Sequence, residues 1–432
     1  MNVGRLTEGL KVYLRPRLIL ILVLGFASGL PLLLTSSTLS IRLREAGVDL
    51  GAIGVFSLVG IPYSLKFLWA PLLDRLGAPG GLARMGRRRG WMMAIHLALI
   101  AAIAGLGLVD PAGGGIWAIA FLALLVSFLS ATQDIAIDAY RVEALDEAEF
   151  GAGAAMAVYG FRGGMLMATV GTLYLAEWID WQAAYVLTAA TLAVGVAAIL
   201  LAPEPVVPEA LAAPAKSVGA LFGDAYWEPL KEFAGRDGWI VLLLFVLFYK
   251  FGDALLSQMT GPLYVDLGFD KPTIANVTKL YGFAMLMVGI FVGGYGVAAL
   301  GLGRTLLIGG VLQAGSNVGF WHLAQVGQDV GTLTWVIAIE NFTGGLGQTA
   351  FVAFLMSLCD RRYTAAQYAL LTSIMAFSPK VLVAPAGLLA EALGWPAFCL
   401  ATAIAAIPGL VLLLWLLKTN PDTWRAAPLK EA

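Results

Sequence analysis

What most constrains this chain is the recurrence, along its whole length, of apolar runs long enough to cross a bilayer. About 20 apolar residues span the hydrocarbon layer as a helix, a form in which an isolated segment satisfies its backbone polar groups internally. Breaking the sequence at its polar and Gly/Pro clusters predicts twelve such spans. They fall near residues 18–43, 51–73, 91–109, 116–141, 152–177 and 182–202, then 239–265, 273–299, 304–324, 332–359, 364–390 and 396–417. Composition agrees, since 59% of the 432 residues are hydrophobic and only 13% charged, a balance foreign to soluble domains. The first run continues through Gly25–Pro31 and is too long for a cleavable signal, so it reads as the first span.

Loop Lys and Arg residues orient the bundle. Arg5, Lys11, Arg15, Arg17, Arg75, Arg84, Arg87, Arg88, Arg89, Arg141, Lys216, Lys231, Arg236, Arg304, Arg361, Arg362, Lys418, Arg425 and Lys430 fall on one side, against Arg42, Arg44 and Lys271 on the other. Both termini are therefore expected in the cytoplasm. Residues 203–237, the one long polar interval, would be a cytoplasmic linker joining six-helix halves at 1–202 and 238–417, with 418–432 as a cytoplasmic tail. An internal echo supports the duplication: Gly47-Val48-Asp49 with Ile53 recurs as Gly268-Phe269-Asp270 with Ile274, ahead of the second span of each half. The predicted fold class is thus an all-α integral membrane protein of twelve transmembrane helices, two six-helix halves around a central cavity, which resembles the major facilitator architecture.

Nine charged residues lie inside the spans, clear of the two residues at either end: Lys66, Asp134, Asp138, Arg162, Lys250, Asp253, Lys279, Glu340 and Lys380. At roughly 3 kcal/mol each, exposing them to lipid would cost on the order of 25 kcal/mol, so they must face inward. Asp134 and Asp138, four apart, share a helical face at the end of span 4, and such a pair suits proton binding. Asp253 and Glu340 are further candidates for coupling, although Lys250 and Asp253, three apart, can also simply pair. Lys66, Arg162, Lys279 and Lys380 come from four helices and suggest an anionic solute. Gln133 and Asn341 could serve its hydroxyls and amides, or only join helices. Cys359 and Cys399 fall at or within spans, so no disulfide framework is expected. With two histidines in the chain, neither a metal site nor another cofactor is expected. The net charge of −1 identifies no partner, and nucleic acid is not expected as one.

The loop after span 2, Ala70-Pro71-Leu72-Leu73-Asp74-Arg75-Leu76-Gly77 followed by Gly86-Arg87-Arg88-Arg89-Gly90, resembles the signature loop of major facilitator transporters, with residues 78–85 inserted. That resemblance implies a cytoplasmic gate made by Asp74, Arg75, Arg87, Arg88 and Arg89. A narrower resemblance covers nearly all twelve spans. Gly25–Leu32, Lys66-Phe67-Leu68-Trp69-Ala70-Pro71, Gly86–Trp91, Ala131-Thr132-Gln133-Asp134-Ile135, Gly151–Ala155, Tyr249-Lys250-Phe251-Gly252-Asp253-Ala254 and Glu340-Asn341-Phe342-Thr343-Gly344-Gly345 are similar to blocks of the AmpG family of muropeptide permeases.

The AmpG resemblance implies a transporter, not an enzyme. It implies proton-driven import of 1,6-anhydro-muropeptides from periplasm to cytoplasm across the inner membrane of a Gram-negative bacterium. That activity would feed wall recycling and, in some species, β-lactamase induction. It also implies sensitivity at Gln133 and Asp134, and charge at Lys66, Arg162, Lys250, Asp253, Lys279, Glu340 and Lys380. Well-known members continue past the twelfth span with further hydrophobic helices. The expected partners are the anionic muropeptide, protons and the lipid bilayer, with the chain acting as a monomer. The alternatives are a permease for another anionic solute, such as a siderophore or acyl-coenzyme A, and a non-transporting membrane sensor.

Overall fold

A computed structural model describes residues 13–48, 53, 56–111, 115–206, 226–377, 382–383 and 385–419. Every regular element among them is helical. The first half contains α1 (Pro16–Glu45), α2 (residues 56–75), α3 (Arg87–Leu108), α4 (Ile116–Ala144), α5 (residues 150–178) and α6 (Trp181–Leu201). The second contains α7 (Trp239–Asp266), α8 (Pro272–Leu300), α9 (Leu302–Val326), α10 (Val330–Ser357), α11 (Thr364–Phe377 and Ala386–Leu393) and α12 (Trp395–Thr419). Among the described residues, seven of these, α1, α3, α4, α6, α7, α8 and α12, are each long and apolar enough to cross a membrane.

Several of the spans depart from continuous α-helices. α2 is a chain of restarts, two 3₁₀ turns (Phe56–Gly60 and Lys66–Leu68) alternating with the short α pieces Ile61–Leu65 and Ala70–Arg75. Pro62 and Pro71 occupy the first turns of those pieces, where a missing N–H costs nothing. α7 breaks at Tyr249–Lys250. α5 and α8 each contain a π-helical stretch, Met167–Gly171 and Ala275–Tyr281.

The repeated Gly47 and Gly268 motifs are matching helix stops. Both glycines adopt positive φ, +83° and +86°. The following Val48 and Phe269 amides donate back to the Leu43 and Tyr264 carbonyls at 3.0 and 3.1 Å, the Schellman arrangement that a side chain at the glycine would strain. The sequence echo therefore encodes the same helix ending in both halves.

Helices α1 and α5 pack at backbone distance, as do α8 and α10: a Cβ on Gly160 would overlap the Leu22 carbonyl, and one on Gly289 the Phe342 carbonyl. The halves meet along α5–α8, and where α11 packs on α2 and α4. One apolar core joins them at the end carrying the arginine-rich α2–α3 loop, with Leu18, Leu145 and Phe150 packed in the same cluster as Leu355, Met356 and Leu358. Between α6 and α7, the short helix Glu228–Ala234 is tied to that end through Arg236, which donates to Glu232 and to the Leu358 carbonyl, and through Gln367, which donates to Pro229 and Glu232.

Candidate functional site

The arginine-rich end is closed by a buried charge network. Arg88, 1% exposed, donates from Nη2 to Asp74 Oδ1 at 2.6 Å and to Glu143 Oε1 at 2.5 Å, and from Nε to Glu143 Oε2 at 3.0 Å. Arg87 donates to the Asp74 carbonyl and to Glu143. Both acids then reach across to the other half. The Asp74 carboxylate accepts the Ala365 and Ala366 amides at 3.1 and 2.9 Å, and Glu143 accepts the Thr364 hydroxyl at 2.8 Å. Asp74 thus caps the first turn of α11 from a different half, where a negative charge meets unsatisfied amides and the positive end of the helix dipole. Arg361 to the Leu145 carbonyl and Arg141 to the Tyr368 hydroxyl add two more crossings, at 3.1 and 2.6 Å.

Two of the expected gate arginines act differently. Arg89 turns to the end of α6, donating to the Ile199 and Leu200 carbonyls, because the free carbonyls of a helix C-terminus attract a cation. Arg75 lies over the Tyr363 ring at 5.9 Å, a cation–π contact across the halves. Glu204 accepts the backbone amides of Arg88 and Arg89 and so caps α3.

In the first half the two acids of α4 are separated by their partners. Asp138 faces Arg141 at 3.0 Å and Lys66 at 3.9 Å. Lys66 is therefore not the uncompensated base expected from sequence: the 3₁₀ turn at Lys66–Leu68 leaves it buried against α4. Asp134 accepts the Ser28 hydroxyl of α1 at 2.5 Å, and no base lies within 4 Å of it among the described residues. Gln133 is fully buried away from this group. Its Nε2 donates to His96 Nδ1 at 2.6 Å, while His96 Nε2 donates to the Leu192 carbonyl at 2.8 Å, a chain that fixes α3, α4 and α6 together.

The second half gathers Lys250, Asp253, Gln313, Glu340 and Asn341. Lys250 pairs with Asp253 at 2.9 Å within the restarted turn of α7, and Gln313 of α9 donates to the other Asp253 oxygen at 2.8 Å. Asn341 donates to Glu340 at 2.6 Å and to the Ile337 carbonyl. Arg162 on α5, half-buried, and Lys279 on α8, exposed, have no acid within 4 Å among the described residues. Lys380 lies outside the described residues.

The sequence from residue 21 to 381 matches the model of the Major Facilitator Superfamily. The chain is 42% identical over 416 residues to the anhydromuropeptide permease of Escherichia coli strain K12, covering 94% of this chain and 81% of that protein. It is 34% identical over 412 residues to the putative transporter AmpG 4 of Rickettsia felis, covering 94% and 98%. It belongs to the AmpG family of the major facilitator superfamily. As a member it is a multi-pass membrane transporter.

Solved structures agree on the fold of this AmpG-family chain. The proton:xylose symporter XylE, bound to 6-bromo-6-deoxy-D-glucose, superposes with a TM-score of 0.67 at 12% identity, over 95% of this chain and 97% of that one. The human organic anion transporter MFSD10 gives 0.63 at 15%, over 93% and 98%. At such identities only architecture is shared. Sequence reasoning about this AmpG-family chain passed over Ser28, Glu143, Glu204 and Tyr368 as site residues. Ser28 stood inside the Gly25–Leu32 block, and Glu143 two positions after Arg141, but neither shows its partner without the fold.

Proposed function

We propose that the protein imports anhydro-muropeptides from the periplasm to the cytoplasm across a bacterial inner membrane, each passage driven by protons, for cell-wall recycling. The single observation that carries the substrate is the 42% identity along 94% of the chain to an anhydromuropeptide permease. Muropeptides carry carboxylates, which suit the bases Arg162, Lys279 and Lys380, and hydroxyls and amides, which suit Asn341. In this reading both termini are cytoplasmic, so the arginine-rich end is the cytoplasmic gate. The halves 1–202 and 238–417 then rock about the central charges as a monomer, with 203–237 joining them.

The proton role falls first to Asp134. A carboxylate held by one neutral hydroxyl can change charge without breaking an ion pair, whereas Asp138 would have to leave Arg141 and Lys66. Glu340, bonded to the Asn341 amide, is its counterpart in the second half. Proteoliposomes with an imposed pH gradient should accumulate labelled anhydro-muropeptide with the wild-type chain and lose accumulation with Asp134→Asn. Absence of wild-type uptake sinks the substrate, and full accumulation by Asp134→Asn sinks the proton role of that residue.

A further inference from the structure

The seam between α5 and α8 is shut along only part of its length. At the arginine-rich end, a Cβ on Gly151 would meet the Gly294 carbonyl at 2.7 Å and one on Gly294 would meet Ala155 at 2.9 Å, so the two backbones touch. Farther along, the Tyr159 hydroxyl donates to the Met287 carbonyl at 2.6 Å. These contacts set an antiparallel register. Beyond Tyr159 and Met287, both helices pass into their π-helical stretches, and Leu166 and Leu280, seven residues on from that contact along each helix, are 43% and 75% exposed.

Two bases well inside the spans, without an acid within 4 Å among the described residues, sit on this open stretch, one from each half. At about 1.5 Å of rise per residue, Arg162 lies roughly 4.5 Å beyond the Tyr159 level and Lys279 roughly 12 Å beyond the Met287 level. Other bases within the spans are answered: Lys66 and Arg141 by Asp138, Lys250 by Asp253, and Arg42, near the end of α1, by the Leu106, Gly107 and Val109 carbonyls. Zipping the seam further would take two like charges from facing helices out of water, an uncompensated burial that proteins avoid.

We propose that Arg162 and Lys279 form a charge barrier to closure of the α5–α8 seam, and that a carboxylate-bearing solute bound between them is the counter-ion that permits closure. The π-helical stretches supply the give, since a widened turn can tighten or shift where a regular one resists. The solute's carboxylates thereby become the specificity determinant for occlusion. A neutral analogue would enter and leave without being carried. The barrier rests on the geometry, while the identity of the solute rests on the muropeptide reading above.

Cross-linking across the open stretch tests this. In a Cys359→Ala, Cys399→Ala background, Leu166→Cys and Leu280→Cys place one thiol on each helix at matching register. With oxidant and no solute the parent should cross-link slowly, and anhydro-muropeptide tetrapeptide should speed it at least tenfold. The added pair Arg162→Gln with Lys279→Gln should cross-link at least tenfold faster than the parent without any solute. The charge-retaining pair Arg162→Lys with Lys279→Arg should behave as the parent. The barrier is overturned if the neutral pair cross-links no faster than the parent, or if the charge-retaining pair is equally fast. If the neutral pair is fast but muropeptide leaves the parent unchanged, the barrier stands and the muropeptide reading fails.

Discussion

Asp74→Asn should unlock the arginine-rich end. The Asp74 side chain is 2% exposed and holds two α11 amides at 3.1 and 2.9 Å, as well as Arg88. Of the Asp74 bonds only those to the amides cross between halves, because Arg88 and Asp74 travel together. Hydrogen bonds to a charged group contribute about 1.5–3 kcal/mol each. Asparagine keeps one acceptor oxygen, now neutral, and points an NH₂ group at the second amide. The closed state should therefore lose about 2–4 kcal/mol, which at about 1.4 kcal/mol per decade shifts its population ratio roughly 30- to 1000-fold.

The native thiols report this shift. Cys359 is partly buried just after α10, its thiol donating to the Leu355 carbonyl at 3.3 Å, close to Arg236 and to Asp74 and Arg141 of the other half. Cys399 is fully buried in α12. In a Cys399→Ala background, maleimide labelling of Cys359 should be slow in the parent and at least tenfold faster with Asp74→Asn. A labelling rate within twofold of the parent, in protein that remains monodisperse, would refute the assignment. The Thr364–Glu143 and Arg141–Tyr368 crossings would then hold the end shut without Asp74.

Gln133→Ala should lower thermal stability by about 1–3 kcal/mol, since it strands the buried His96 nitrogen, while leaving the KM for muropeptide near that of wild type; a large KM rise with unchanged melting temperature would show that Gln133 meets the solute instead. Gly289→Val drives a side chain into the Phe342 carbonyl and should abolish folded protein, read as loss of the monodisperse peak in detergent. Asp360 lies between α10 and α11, where hydrogen bonds from Arg362 hold its carboxyl below the usual range. Its contribution is present above the unfolded value of about 3.9 and is lost only as pH falls through the lower folded value, so Arg362→Ala should leave the uptake profile unchanged between pH 5 and 8. A shifted profile would place this pair in the coupling path.

Legibility differed by kind of feature. The Lys250–Asp253 pair was readable because three residues make one helical turn, and the fold class because every span repeats the same bilayer constraint. The roles of Lys66, Gln133 and Arg89 were not. Each is decided by a neighbour 72, 37 or 110 positions away, Asp138, His96 and Ile199, and no local pattern encodes such distances. Glu143, which no sequence pattern singled out, is central for the same reason: its partners Arg88 and Thr364 lie far along the chain.

Residue types alone imply a helical bundle of twelve spans in two related halves, an interior that carries both signs of charge, and a glycine motif, at Gly47 and Gly268, repeated ahead of the second span of each half. Solvent imposes these choices one segment at a time: lipid demands internally satisfied backbones, and a positive φ favours glycine. Packing settled which charges neutralise one another and which, among the described residues, have no opposite charge within reach. It also decided that Asp74 caps a helix of the opposite half, and that the α5–α8 seam stops short of Arg162. Those outcomes depend on the packing of segments distant in the chain, where a few ångströms separate an ion pair from an exposed charge.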